Sequence, residues 1–102
     1  MNFARGEWQI SRVYSILRRS EPSLHHAKRC LEISKQSSLG PFELAFAYEA
    51  LARASAIAGR KQDSRNYLAK AQAAGKKIRE REDSDWLQAN LKTIPRLRAV
   101  SE

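Results

Sequence analysis

The residues with the clearest potential for chemistry are a histidine and a cysteine on one predicted helix. His26 and Cys30 are four residues apart, so they share a helix face and could bind the same metal ion. Two ligands do not complete a tetrahedral site, and the remaining ones would have to come from another subunit or from Tyr48, Glu49 or Asp63. Because a cysteine at a helix-packing position ordinarily serves as a small buried apolar residue, we expect no metal site.

Paired carboxylates offer little more. Glu43 lies near the start of a predicted helix, where it favours the helix dipole, and Glu49 is expected to be a surface charge. Asp83 and Asp85 are typical helix-capping residues. The sequence has no glycine-rich phosphate loop, no Gly-x-Ser-x-Gly turn and no His-Glu-x-x-His motif. We therefore predict that the protein is not an enzyme and uses no cofactor.

The composition indicates one small basic domain. A length of 102 residues with 42% hydrophobic residues suits a single domain, here residues 1–102. The formal net charge of +8 favours anionic partners. The single cysteine excludes an internal disulfide, and no stretch approaches the roughly 18 apolar residues of a membrane helix. These features predict a cytoplasmic protein that does not enter a membrane.

Apolar residues at helical spacing predict an all-α fold of about five helices in antiparallel hairpins. The expected organisation is a lead-in at 1–6, a first helix pair at 7–37, a second pair at 41–79, a capping helix at 83–94 and a tail at 95–102. Within it, helix 1 runs over 7–19 and helix 2 starts at a serine or glutamate cap. Helix 4 starts at Gln62 or Asp63 and continues toward Ile78 unless Gly75 ends it. Helix 5 runs over 86–93.

Two segments of the sequence match at an offset of 41 residues. The second has Leu51, Ala52, Ser55, Gly59, Ser64, Leu68 and Ala71 where the first has Ile10, Ser11, Tyr14, Arg18, Ser23, Ala27 and Cys30. This order of large and small residues resembles the tetratricopeptide repeat, a helix pair that stacks into solenoids. The match is divergent, since Arg18 replaces the turn glycine and the offset exceeds the usual period of about 34 residues.

The resemblance implies a concave groove that holds a peptide. In this family the first helix of each pair lines the groove, and the register assigns to it Arg5, Trp8, Arg12, Phe46, Glu49 and Arg53. Aromatic anchors beside arginines suit a protein or peptide partner with apolar and acidic residues. Trp8 and Phe46 have an alternative role as packing residues. The implied function is non-catalytic protein binding, as an interaction or scaffold module.

A second hypothesis is binding of nucleic acid or another polyanion through a basic face of helix 4. The cations that would follow the phosphates are Arg60, Lys61, Arg65, Lys70, Lys76, Lys77, Arg79 and Arg81. Tyr67 is the only aromatic residue among them and belongs to the apolar stripe, so no base-stacking platform accompanies the charge. We therefore rank this hypothesis below peptide binding.

Helix 1 is apolar over more of its circumference than one packed side requires. Its apolar residues are Trp8, Ile10, Val13, Tyr14, Ile16 and Leu17. Another subunit, a bound protein or a preceding repeat of a longer array could cover the surplus. We expect a homodimer through helix 1 as the simplest case.

Overall fold

The computed structural model describes residues 3–95, which form five helices and contain no strand. The helices are α1 (Phe3–Ile16), α2 (Ser20–Gln36), α3 (Pro41–Ile57), α4 (Lys61–Gly75) and α5 (Arg81–Leu91). Short turns join α1 to α2 and α3 to α4 as antiparallel hairpins, and α5 packs against the second hairpin. The predicted all-α hairpin fold is therefore confirmed. None of the described helices is long and apolar enough to cross a lipid bilayer.

The two hairpins make the same hydrogen bond between equivalent residues. The Ser23 hydroxyl donates to the Ser11 carbonyl across the first hairpin at 3.0 Å. The Ser64 hydroxyl donates to the Ala52 carbonyl across the second at 2.9 Å. Both pairs are related by the 41-residue offset. Each bond joins two small residues where the helices cross, which explains why serine and alanine recur at these positions.

The turns of the two hairpins are also equivalent. Arg18 and Gly59 both have left-handed backbone conformations, with φ of +60° and +77°. In each turn the residue after them donates its N–H to a carbonyl five positions earlier, Arg19 to Tyr14 and Arg60 to Ser55. Glycine adopts this conformation without a steric penalty, whereas arginine does not. The first hairpin thus has the same turn geometry as the second, although an arginine and not a glycine occupies the left-handed position.

The alanine-rich helix α3 is the centre of the fold and contacts the other four helices. Its Ala45, Ala47, Ala52 and Ala54 have no exposed surface. Small side chains let the neighbouring helices approach closely, so that α3 is covered on every side. The stacking of a second hairpin against it is the arrangement that its composition predicts.

Several predicted boundaries need correction. The first helix begins at Phe3, so the lead-in 1–6 is wrong for residues 3–6, and it ends at Ile16 before the left-handed turn. Helix α2 follows Arg19 without a side-chain cap, in place of the predicted serine or glutamate cap. Helix α4 starts at Lys61, one residue before the predicted start, and it ends at Gly75, which was the stated alternative to an extension toward Ile78.

The last helix also starts earlier than predicted. It begins at Arg81, with Glu82 and Asp83 in its first turn, where acidic residues favour the helix dipole. Asp83 is therefore not a cap, since Glu80 precedes the helix. The helix ends at Leu91 and not at Thr93. Of the predicted tail, only Pro95 falls among the described residues.

Helix α5 completes the core. Leu87, Leu91 and Ile94 are buried against the alanines of α3 and α4. Gly75 permits this contact, because a β-carbon built there would lie 2.6 Å from Leu87 Cδ2. The same docking brings Trp86 and Asn90 next to α1 and α3, where the peptide groove is predicted.

Candidate functional site

Helix α5 covers part of the predicted groove. The Arg12 guanidinium donates to the Asn90 side-chain carbonyl at 2.8 Å, which links α1 to α5 across the face of α3. The Trp86 ring lies 6.1 Å from Trp8 and 4.9 Å from Phe46, measured between ring centroids. The side chains predicted to meet a peptide therefore meet α5 instead along much of the groove.

Beneath α5, Glu49 is the acceptor of a buried hydrogen-bond network. Its carboxylate is fully buried and accepts the Trp8 indole N–H at 2.7 Å. The Arg53 guanidinium donates to the same carboxylate at 2.8 and 3.0 Å. Arg53 also donates to the Asn90 carbonyl and to the Thr93 hydroxyl at the end of α5. Such hydrogen-bonded pairing is the condition under which two charges can be buried.

Arg12 completes the charged group. Its guanidinium lies 4.0 Å from Glu49 Oε2. Burial and the neighbouring Arg53 lower the pKa of Arg12 from its usual value, and Glu49 opposes this shift. The network contains two arginines and one carboxylate, so it attracts negative charge but presents little of its own surface.

The structure corrects the expectation that Glu49 and Arg53 face an open groove, because both are buried. Glu49 and Arg53 neutralise each other, and α5 provides the carbonyls that satisfy the remaining donors. Trp8 and Phe46 have the packing role that was the alternative interpretation, since their rings are in edge contact at 5.5 Å.

One part of the predicted groove remains open, between α1, α3 and α5. We call it the aromatic pocket, and its volume is about 100 Å³. Its walls are Ala4, Arg5, Trp8, Gln9, Cys30, Phe42, Glu43, Phe46 and Trp86. Three predicted groove residues, Arg5, Trp8 and Phe46, are among them, whereas Arg12, Glu49 and Arg53 are not.

The aromatic rings of the pocket support one another. Phe42 lies 4.8 Å from Phe46 and is stacked on Trp86 at 6.0 Å. Trp86 is 44% exposed and forms the outer edge of the pocket, and the Arg5 guanidinium lies 5.7 Å above the Phe42 ring. Because the rings hold each other, the pocket has rigid apolar walls with charged groups at its rim.

Sequence reasoning missed Phe42 and Trp86 as site residues. Trp86 stands out in a short, polar helix, where an exposed tryptophan is uncommon. Phe42 precedes Phe46 by four residues and therefore shares its helix face. These signals are present in the sequence, but only the docking of α5 brings them together.

The pocket offers no evident reactive group. Cys30 lines it but is only 2% exposed, and burial raises the pKa of this thiol to about 12. His26 accepts or donates a 2.7 Å hydrogen bond with Glu7 and stacks on Tyr14, so its contacts lie elsewhere. Within residues 3–95 no group of three potential metal ligands occurs.

The basic residues of the second hypothesis do not lie on one helical face. Arg60, Lys61 and Arg65 lie at the start of α4, and Lys70 lies about one and a half turns after Arg65, over the Tyr48 ring. The others follow the end of α4, about 22 Å from its start. They are Lys76, Lys77, Arg79 and Arg81, of which Arg81 lies 3.9 Å from Asp85. Apart from Lys70, the cations form two groups at opposite ends of the helix.

Helix α1 leaves apolar side chains exposed. Ile10, Val13, Ile16 and Leu17 are 41–70% exposed, whereas Trp8 and Tyr14 pack against neighbouring rings. The surplus apolar surface expected from the sequence is thus present in the chain. The homodimer proposed to cover it stays a prediction.

Comparison of the chain with protein-family models, with curated proteins and with solved structures gives no match. The similarity to tetratricopeptide repeats accordingly rests on the sequence register described above. Conclusions about function rest on the geometry of the chain itself.

Proposed function

We propose that the chain is a non-catalytic protein-interaction module whose aromatic pocket binds one apolar side chain of a partner peptide. The observation that supports this function is an open pocket walled by four mutually supporting aromatic rings. Its volume of about 100 Å³ is smaller than the roughly 300–1,000 Å³ of sites that hold whole small molecules, so the pocket suits a single side chain. Rigid aromatic pockets at protein surfaces are the usual positions of residues that dominate binding energy.

The rim of the pocket favours an acidic residue beside the anchor. Arg5 lies at one edge, and the net charge of +8 attracts acidic segments from a distance. Glu43 lines the same rim and disfavours a second acidic residue on its side. The proposed ligand is therefore an apolar residue, aromatic or branched aliphatic, with an acidic residue on one flank.

The resemblance to tetratricopeptide repeats supports the same class of function. Those repeats hold peptides on the face formed by the first helix of each pair, and the aromatic pocket lies on the corresponding face between α1 and α3. The buried single cysteine suits a reducing compartment such as the cytoplasm. Polyanion binding remains a second candidate, supported by the net charge but not by the distribution of the basic residues.

Selection of peptides from a random displayed library on the immobilised chain tests the proposal. Washing in about 0.5 M salt removes ligands held by charge alone. We expect the selected peptides to share an apolar anchor and an adjacent acidic residue, and to lose affinity for a Trp86→Ala variant. An Arg81→Ala variant is the matched control, since this exposed residue at the start of α5 lies outside the pocket.

Peptides that bind Trp86→Ala as well as the unaltered chain would contradict the proposed site. If purely acidic peptides are selected when the salt wash is omitted and none remains after it, the polyanion hypothesis is favoured instead. Circular dichroism of both variants establishes that the loss of binding is not a loss of folding.

A further inference from the structure

A stripe of exposed apolar residues follows the outside of α1. Ile10, Val13 and Leu17 are spaced by three and four residues, which places them within an arc of about 60° on the helix. Their side chains are 41%, 55% and 59% exposed, so the other helices do not cover them. This spacing is the seam pattern by which two helices pack side by side.

Gly6 extends the stripe by another turn. It lies four residues before Ile10, inside α1, and a β-carbon at this position would meet nothing within 4 Å. Glycine inside a helix costs about 0.8–1 kcal/mol relative to alanine, and no contact within the described chain accounts for it here. Close approach by the backbone of another helix is a physical reason for a glycine at this position. We call Gly6, Ile10, Val13 and Leu17 the α1 outer face.

The charges around this face decide what could cover it. The segment from Phe3 to Arg19 contains four arginines and one glutamate. That glutamate, Glu7, is turned onto α2, where it lies 2.7 Å from His26 and 3.6 Å from Arg29. No exposed carboxylate therefore lies on α1, whereas exposed arginines lie near both of its ends.

These charges disfavour a second copy as the occupant. Two α1 outer faces packed together would bring arginines of like charge against each other, without carboxylates from α1 to compensate. A helix with acidic residues beside its apolar seam would neutralise the same arginines. The homodimer expected from the sequence is thus the less favourable of the two arrangements.

We propose that the α1 outer face binds an amphipathic helix of a partner protein whose apolar seam is flanked by acidic residues. The seam inserts between Ile10, Val13 and Leu17, and the partner backbone approaches most closely at Gly6. This surface shares no residue with the aromatic pocket, although Arg5 of the pocket is the neighbour of Gly6 in the chain. The two sites are tested independently, and the failure of one leaves the other standing.

The test uses a labelled synthetic helical peptide with leucine at the seam positions and glutamate on both flanks, followed by fluorescence anisotropy. A matched peptide carries lysine at the flanking positions. We expect saturable binding of the acidic peptide only, with affinity reduced at least about tenfold by Gly6→Leu. Because leucine is the better helix former and meets open space there, Gly6→Leu should not lower the melting temperature.

Trp86→Ala is the matched control and should leave this affinity unchanged, which separates the α1 outer face from the aromatic pocket. Equal binding of the lysine peptide, or unchanged affinity of Gly6→Leu, would overturn the proposal. Light scattering distinguishes a partner helix from a second copy of the chain on this face. A mass of about twice 11.6 kDa that returns to the monomer value in Gly6→Leu would show that a second copy occupies the face.

Discussion

Replacement of Glu49 by glutamine tests the buried network that closes the groove. The change keeps the shape of the side chain but removes the charge that faces two N–H donors of Arg53 and the indole of Trp8. Removing one partner of a buried ion pair costs about 3–5 kcal/mol, because the other charge is left buried without compensation. Arg53 retains the Asn90 carbonyl and the Thr93 hydroxyl, so we expect a loss near 3 kcal/mol.

Urea denaturation followed by circular dichroism measures this loss. A domain of this length typically has a free energy of unfolding of about 5–15 kcal/mol, so the variant should remain folded but marginal. The melting temperature should fall by roughly 12–24 °C, at about 4–8 °C for each kcal/mol. Glu32→Gln, an exposed glutamate on α2, is the matched control and should change stability by less than about 0.5 kcal/mol.

A loss below about 1 kcal/mol would refute the reasoning, since a solvated surface pair has that value. Replacing Glu49 and Arg53 together by methionine provides an internal check. The double variant should lose less stability than Glu49→Met and Arg53→Met added together, because neither Glu49 nor Arg53 is then left buried without its partner. Additive losses would show that the two side chains do not interact.

Three further substitutions test the packing. Arg18→Gly should raise the free energy of unfolding by roughly 0.5–1 kcal/mol, because glycine adopts the left-handed conformation without strain. Arg19→Gly is the control and should not raise it, because Arg19 has a φ of −99°. Equal effects of the two substitutions in thermal melts would contradict this prediction. Burial raises the pKa of Cys30 to about 12, so alkylation of this thiol in the folded chain should be slow. Because the thiol ionises in the unfolded chain but stays protonated in the folded one, the free energy of unfolding should fall as the pH rises from 9 toward 12. Cys30→Ala should flatten that part of the pH profile, and an unaltered profile would assign it to other groups. Ala52→Leu should cost roughly 1–3 kcal/mol in urea denaturation by overpacking the crossing of α3 and α4, and unchanged stability would contradict this packing.

The hairpins could be predicted from the sequence because local rules determine them. Apolar spacing locates the helices, and the 41-residue offset aligns two copies of one crossing, with Ser23 and Ser64 as equivalent donors. Arg18, which departs from the repeat pattern, still occupies the left-handed turn position that Gly59 has in the second hairpin. The helix ends were less predictable, because acidic residues favour the first turn of α5 as well as a position before it.

The docking of α5 could not be predicted from the same rules. The docking depends on Leu87 fitting against Gly75, a contact between residues that no local pattern relates. Glu49 and Arg53 resemble an ordinary surface pair four residues apart. A clue lay in the helix around them, since α3 is apolar on all sides and its charged residues must then be buried and paired.

The most direct test of peptide binding at the aromatic pocket uses the tryptophan fluorescence of the chain. Its two tryptophans, Trp8 and Trp86, both line the pocket. A selected peptide with an apolar anchor should give a saturable change in their emission, which persists in about 0.5 M salt and disappears when the anchor is replaced by alanine. Peptide binding that leaves the emission unchanged, or a change that does not depend on the anchor, would contradict the proposed site.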